Sequence, residues 1–303
     1  PTMVFGFGAL VVLAPLGYAL AFGVGPLPEM GAAGLGTASA AVMWLQTLGF
    51  ATYLWRSRRF APLALFSHLE RPRWAPIRGL LVVGLPIGIT VLMEGGLFIA
   101  TALLIARLGE VPAAAHQIAI NVAALCFMVP MGLAEATTVR VGRALGANDP
   151  GGVRRAVRAG YTVVLFTQTC SAIALLLGHD AVVAIYTSDL AVAAMASTLL
   201  LYAAAFQFPD GIQVMSAGAL RGLRDTRVPM LLALAAYWGL GMPLGAGLGL
   251  GLGHGPQGMW AGLIVGLAAA AVLMGARLAW RLRHLPPPVQ ADAPPVHPVT
   301  SGA

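Results

Sequence analysis

The chain has 303 residues, of which 58% are hydrophobic and only 10% charged, with a mean hydropathy of +0.83. That balance excludes an ordinary soluble domain, which needs far more charge to face water, and makes lipid the solvent for most of the chain. The net charge of +7 does not point to nucleic acid, because the 18 basic residues, all arginine, lie between hydrophobic runs and form no single patch.

A membrane helix needs about 20 apolar residues to cross roughly 30 Å of hydrocarbon. Runs of that kind cover about 3–24, 31–55, 79–106, 112–137, 159–178, 191–219, 229–251 and 256–280, so about eight transmembrane helices are predicted. The chain opens on Pro1 and enters VFGFGALVVLAPL with no basic leader, which reads as an interior start and not as a signal peptide. Arginines then alternate by side. Arg56, Arg58, Arg59, Arg71, Arg73 and Arg78 lie between the second and third runs, and Arg140, Arg143, Arg154, Arg155 and Arg158 between the fourth and fifth. Arg221, Arg224 and Arg227 follow the sixth run, and Arg277, Arg281 and Arg283 the eighth, while the intervening connections hold only Arg107. By the positive-inside rule these clusters are cytoplasmic, and so is the C-terminus, in a multi-pass protein of the cell (inner) membrane.

Segment 56–78 mixes Phe60, Leu65, Phe66, Leu69 and Trp74 with arginines and reads as an amphipathic linker at the interface. The tail 285–303 is rich in proline and poor in large apolar residues, so disorder is expected there. Cys126 and Cys170 sit inside apolar runs, where a disulfide between loops is excluded and packing is the natural role.

Sliding the chain by about 228 positions sets the first two runs on the last two without a gap. Pro15, Leu16, Gly17, Leu20, Pro28, Gly34 and Ala40 fall on Pro243, Leu244, Gly245, Leu248, Pro256, Gly262 and Ala268, among others. Six runs separate the copies and both connecting loops lie outside, so the repeat is parallel, about an axis along the membrane normal. The organisation expected is all-α and polytopic: 1–55 as the last two helices of an N-terminal lobe, 56–78 as linker, and 79–284 as a six-helix C-terminal lobe. The parent would be a twelve-helix, two-lobe transporter, with about 150 residues before Pro1, and this chain alone would not transport.

Acidic side chains are the rarest feature of the runs, since an Asp at a helix centre costs about 2.5–3.5 kcal/mol on insertion scales. Glu94 and Asp210 both lie near mid-span, more than ten residues along the chain from the nearest arginine. Packing by interhelical hydrogen bonds is one reading; a coupling site for a proton or sodium ion, facing a cavity, is the one their cost favours. Pro209 removes a backbone donor beside Asp210, so a kink that frees a carbonyl is expected there. Tyr202, Phe206 and Gln213 share the helix of Asp210 at spacings of three or four and suit an organic cation as well as ordinary packing. His116, Gln117 and Asn121, the last two one turn apart, complete an ion shell or bond neighbouring helices, and His116 also lies close enough to the outer interface to be solvated. Glu135, five residues before Arg140 near the cytoplasmic end, reads as half of an interfacial ion pair, with a transport role as the other reading.

GAGLGLGLG at 245–253 imitates a dinucleotide fingerprint, but no β-strand precedes it and close helix packing explains it better. The sequence carries no metal-spaced His/Cys set, no catalytic Ser-His-Asp grouping and no P-loop, so neither an enzyme nor a primary pump is expected of it, and no cofactor.

Three stretches resemble the multidrug and toxic compound extrusion (MATE) transporters: LPIGITVLMEGGLF at 85–98, AAAHQIAINVAALCFMVPMGLAEATTVRVGRALGANDP at 113–150 and AGALRGLRDTRVPM at 217–230. PLGYALAFG followed by GAAGLGTASAAVMW is similar to that family's fifth and sixth helices. The resemblance implies two six-helix bundles around an alternating cleft, and efflux of amphipathic organic cations against a proton or sodium gradient, with no oligomer required. It also implies that Glu94 and Asp210 couple ion uptake to substrate release, that sodium at these two acids is the only metal to expect, and that Gln117 and Asn121 match polar residues of the eighth helix. Phe206 stands where some sodium-coupled members have tyrosine. Two other readings are a flippase for a lipid-linked precursor, which would need basic cavity residues, and a non-transporting membrane scaffold.

Overall fold

A computed structural model describes residues 2–24, 29–57 and 73–285. The described residues form helices and no strands: α1 (Thr2–Phe22), α2 (Gly31–Arg56), α3 (Trp74–Ala106), α4 (Glu110–Gly146), α5 (Pro150–Tyr186), α6 (Leu190–Gly222), α7 (Arg227–Gly251) and α8 (Gly255–Arg283). Each of the eight apolar runs is helical, and among the described residues seven of these helices are long and apolar enough to cross a membrane. The other, α2, has the length at 26 residues, but Gly, Ala, Ser and Thr dilute its hydropathy.

The helices overrun their apolar runs. At 37 residues each, α4 and α5 extend to about 55 Å, well beyond the hydrocarbon layer. Arg140, Arg143, Arg154, Arg155 and Arg158 therefore sit on helix ends, joined by a turn of only residues 147–149, and not in the long loop that the sequence suggested. Asn148 takes the left-handed conformation there, and Asp149 caps α5 by accepting from the Gly152 amide at 2.7 Å, with Pro150 at the first helical position. The expected linker is likewise shortened, since α2 runs to Arg56 and α3 starts at Trp74; its residues 58–72, and 286–303 of the tail, lie outside the described residues.

The chain divides into two compact units, residues 1–74 and 75–303. In the first, α1 and α2 pack as an antiparallel hairpin in which Gly34 lies against the backbone of Leu20. The second holds six helices joined by short turns, so they alternate in direction, and apart from Arg107 their arginines gather at one end. The core helix is α6, packed against α4, α5 and α8. Small residues bring backbones together: Thr138 on α4 donates to the Gly218 carbonyl of α6 at 2.7 Å, and a side chain at Gly218 would meet the Ala134 carbonyl at 2.8 Å. The outer surface is apolar, with Leu177, Ile185 and Leu190 more than four-fifths exposed, as lipid contact requires.

The GAGLGLGLG segment is part of α7, whose backbone widens into π-helical turns at Ala235–Gly241 and Gly247–Gly251. Gly241, Gly245 and Gly249 of α7 lie against Gly266, Gly262 and Gly258 of α8, so the glycines serve close helix approach and no nucleotide.

Candidate functional site

Within the second unit, α3, α4 and α6 line an open cavity of about 440 Å³. Its walls are apolar, from Ile87, Val91, Ile120, Phe127 and Met131 among others, and both mid-span acids, Glu94 of α3 and Asp210 of α6, reach it. Asp210 is 2% exposed and Glu94 is half-buried. They lie within electrostatic range of each other, so two residues more than a hundred positions apart become one site.

The cavity is graded along its length. Phe206, one turn from Asp210 away from the arginine-rich end, packs edge-on against Phe98 of α3 at 6.1 Å and Trp260 of α8 at 6.0 Å between ring centroids. Trp260 donates its indole N–H to His116 Nδ1 at 3.2 Å. These rings form an aromatic wall on that side of the carboxylates. At the opposite side Arg221 and Glu135, both lining the cavity, form an ion pair between α6 and α4. Arg221 lies eleven residues beyond Asp210, about 16 Å along the helix axis.

Several positions differ from expectation. His116 is buried, at 2%, and bonded to Trp260 of α8, so of its readings the interhelical hydrogen bond holds and solvation does not. Glu135 does form an ion pair, but with Arg221 across the bundle and not with Arg140 on its own helix. Pro209 lies inside α6, which is helical from Leu190 to Gly222. There Gln168 of α5 donates to the Gln207 carbonyl at 2.6 Å, through the space that Gly211 leaves free. Gln117 and Asn121 lie on an exposed face of α4, away from the lining of the cavity. Tyr202 lines a separate pocket with His254 and Gln257 near the α7–α8 turn. Gln213 is buried and lines, with Glu94, Arg221 and Asp225, a narrow crevice of about 50 Å³.

Sequence reading missed four polar groups around the site: Arg221, Gln168, Gln207 and Tyr237. Arg221 was legible only as a topology signal. Tyr237 is fully buried, and its hydroxyl has no hydrogen-bond partner among the described residues. It lies within electrostatic range of Glu94 and Asp210. The π-helical turn that carries it also lets Trp238 donate to the Met93 carbonyl at 3.1 Å, beside Glu94. Nothing in AAYWGLG marks such a turn in advance. Among the described residues no cluster of three His, Cys, Asp or Glu offers a metal site.

Comparison with known proteins agrees with this architecture. Residues 86–246 match the MatE family model. The chain is 71% identical over 285 residues to the probable multidrug resistance protein NorM of Xanthomonas campestris pv. campestris, covering 94% of this chain and 62% of that protein. It is 45% identical over 288 residues to the multidrug resistance protein PmpM of Pseudomonas aeruginosa, covering 94% and 60%. The crystal structure of a eukaryotic MATE transporter superposes with a TM-score of 0.81 at 20% identity, over 92% of this chain and 63% of that one, and shares the fold. The chain thus spans about three-fifths of the length of the curated relatives it matches. An all-helical bundle with this match across α3–α7, and relatives of such identity, make the chain a member of the MatE family.

Proposed function

We propose that this chain works within a secondary active antiporter that exports amphipathic organic cations in exchange for protons or sodium ions. The supporting observation is the cavity of about 440 Å³ that holds Glu94 and Asp210 among apolar and aromatic walls. Its volume suits a drug-sized molecule. Aromatic faces and carboxylates attract a bulky cation, and neither group needs a specific shape from it. The relatives' names, multidrug resistance proteins, favour the same substrate class.

Exchange follows from scarcity of compensation. A carboxylate away from water must hold a proton, a metal cation or a cationic substrate, and two carboxylates in one cavity cannot satisfy all three at once. Ion binding therefore weakens substrate binding, and the coupling is reciprocal. The donors on offer, the Glu94 and Asp210 carboxyls and the buried Gln213 carbonyl, are all hard oxygens and fit sodium as well as a proton. The cavity is lined by three carboxyls, Glu94, Glu135 and Asp210, against the single guanidinium of Arg221, which Glu135 already engages. That balance favours cations over the phosphate of a lipid-linked precursor.

The parallel repeat supports two six-helix halves, with α3–α8 forming one and α1–α2 belonging to the other. The test is dye flux in proteoliposomes under imposed proton and sodium gradients. The 303-residue chain alone should insert and move no dye, whereas the chain joined behind the N-terminal region of its Xanthomonas relative should drive efflux. Efflux by neither would overturn the antiporter reading, and efflux by the chain alone would overturn the two-half organisation.

Orientation in the inner membrane is tested by labelling single cysteines in a background without Cys126 and Cys170. Ser188→Cys, in the exposed α5–α6 turn, should react with an impermeant maleimide on intact spheroplasts, and Ala147→Cys, in the α4–α5 turn, only after permeabilisation. The reverse pattern would invert the topology and place the C-terminus outside.

A further inference from the structure

Arg221 lies in the last turn of α6, about a quarter exposed, with a long side chain that several acids surround. It is paired to Glu135 of α4, itself more than half exposed at the cavity mouth. On its other side it lines the narrow crevice shared with Glu94, and Glu94 is within its electrostatic range. The third acid nearby is taken. Asp225 is held by Arg277 at 2.8 Å and Arg281 at 3.4 Å, both from α8. Arg221 therefore has two carboxyl partners to choose between, one at the mouth and one in the binding cavity.

We propose that Arg221 is a built-in competitor for the cationic substrate: Glu135 holds it at the mouth, and once released it turns inward to neutralise Glu94. The inference rests on the cation-exchange reading above and deepens it. A guanidinium covalently tethered beside a carboxylate acts at high effective concentration, so it need bind only weakly to compete. Its departure from Glu135 also has a modest cost, because a partly exposed pair is worth little. An emptied cavity then keeps no bare carboxylate at Glu94 while it waits for its next cation, and an incoming substrate returns Arg221 to Glu135.

The test is equilibrium dialysis of tetraphenylphosphonium against the full chain in lipid nanodiscs, with empty nanodiscs as blank. Arg221→Gln removes the competitor and should tighten binding about fivefold. Glu135→Gln removes the tether, frees Arg221 to occupy Glu94, and should weaken binding about fivefold. The double variant discriminates. With Arg221 absent, Glu135→Gln should change binding less than about twofold. If Glu135→Gln weakens binding equally in both backgrounds, Glu135 acts as a surface charge and the competitor is overturned. If probe binding is present but neither single variant alters it, the competitor is again overturned while the cation site stands. Absence of saturable binding to the wild-type chain overturns the cation site itself and with it the competitor.

Discussion

Gradient-driven flux should fall below about one-tenth of the unmutated rate in Glu94→Gln and in Asp210→Asn, with protein amount in the membrane unchanged. Each substitution keeps the shape and hydrogen-bonding capacity of the side chain and removes the charge. Were the two acids only packing groups, the amides would serve, and flux would survive in both. The structure sharpens the expectation for Asp210. It is 2% exposed on the core helix, so with an amide there the cavity loses the more enclosed of the two mid-span carboxyls. Glu94 sits on α3 at the cavity wall, and its loss should also abolish any difference between proton and sodium driving. The assay uses the chain joined to the N-terminal region of its relative, with proton and sodium gradients imposed separately. Full flux from both variants would remove the two carboxyls from the mechanism.

Much of this arrangement was legible in the sequence because lipid simplifies the code. Eight apolar runs became eight helices, since a run of about 20 apolar residues has few other ways to satisfy its backbone in hydrocarbon. Glu94 and Asp210 stood out for the same reason. Their convergence on one cavity did not follow from spacing, because it depends on how α3 and α6 pack. What stayed hidden was contact between side chains on different helices. Glu135 had Arg140 nearby in sequence, but α4 turns Glu135 toward α6, where Arg221 meets it. His116 could be read as solvated because it lies close to the outer end of its run, yet Trp260, on another helix, covers it. Tyr202 and Gln213 share a helix with Asp210, but a helix faces several neighbours, and the three residues divide between different pockets. Gln168 carried no signal, since one glutamine in a helix says nothing about which carbonyl it will find.

Gly262→Ala should destabilise the protein by about 3 kcal/mol, a large effect for one methyl group. A side chain at Gly262 would run into the backbone of Gly245, and would also meet the Gly241 carbonyl at 2.7 Å, on the neighbouring α7. Neither is the movable end of a flexible side chain, so the helices themselves must separate. Separation would spread along the seam, because side chains at Gly258 and Gly266 would also meet backbone, that of Gly249 at 2.6 Å and of Gly241 at 2.9 Å. In lipid the attraction between helices is chiefly van der Waals packing, and no hydrophobic effect closes the gap that opens. The movement would also carry Tyr237 and Trp238 on α7 away from the carboxylates, so substrate binding should weaken along with stability. Gly247→Ala is the control. It lies in the same glycine-rich stretch, faces outward and has nothing within 4 Å of the position a side chain would take. Thermal unfolding in detergent, followed by the fraction of protein that remains monodisperse, should show a lowered midpoint for Gly262→Ala and little change for Gly247→Ala. Equal behaviour of the two would mean that the glycine seam between α7 and α8 does not hold the bundle together.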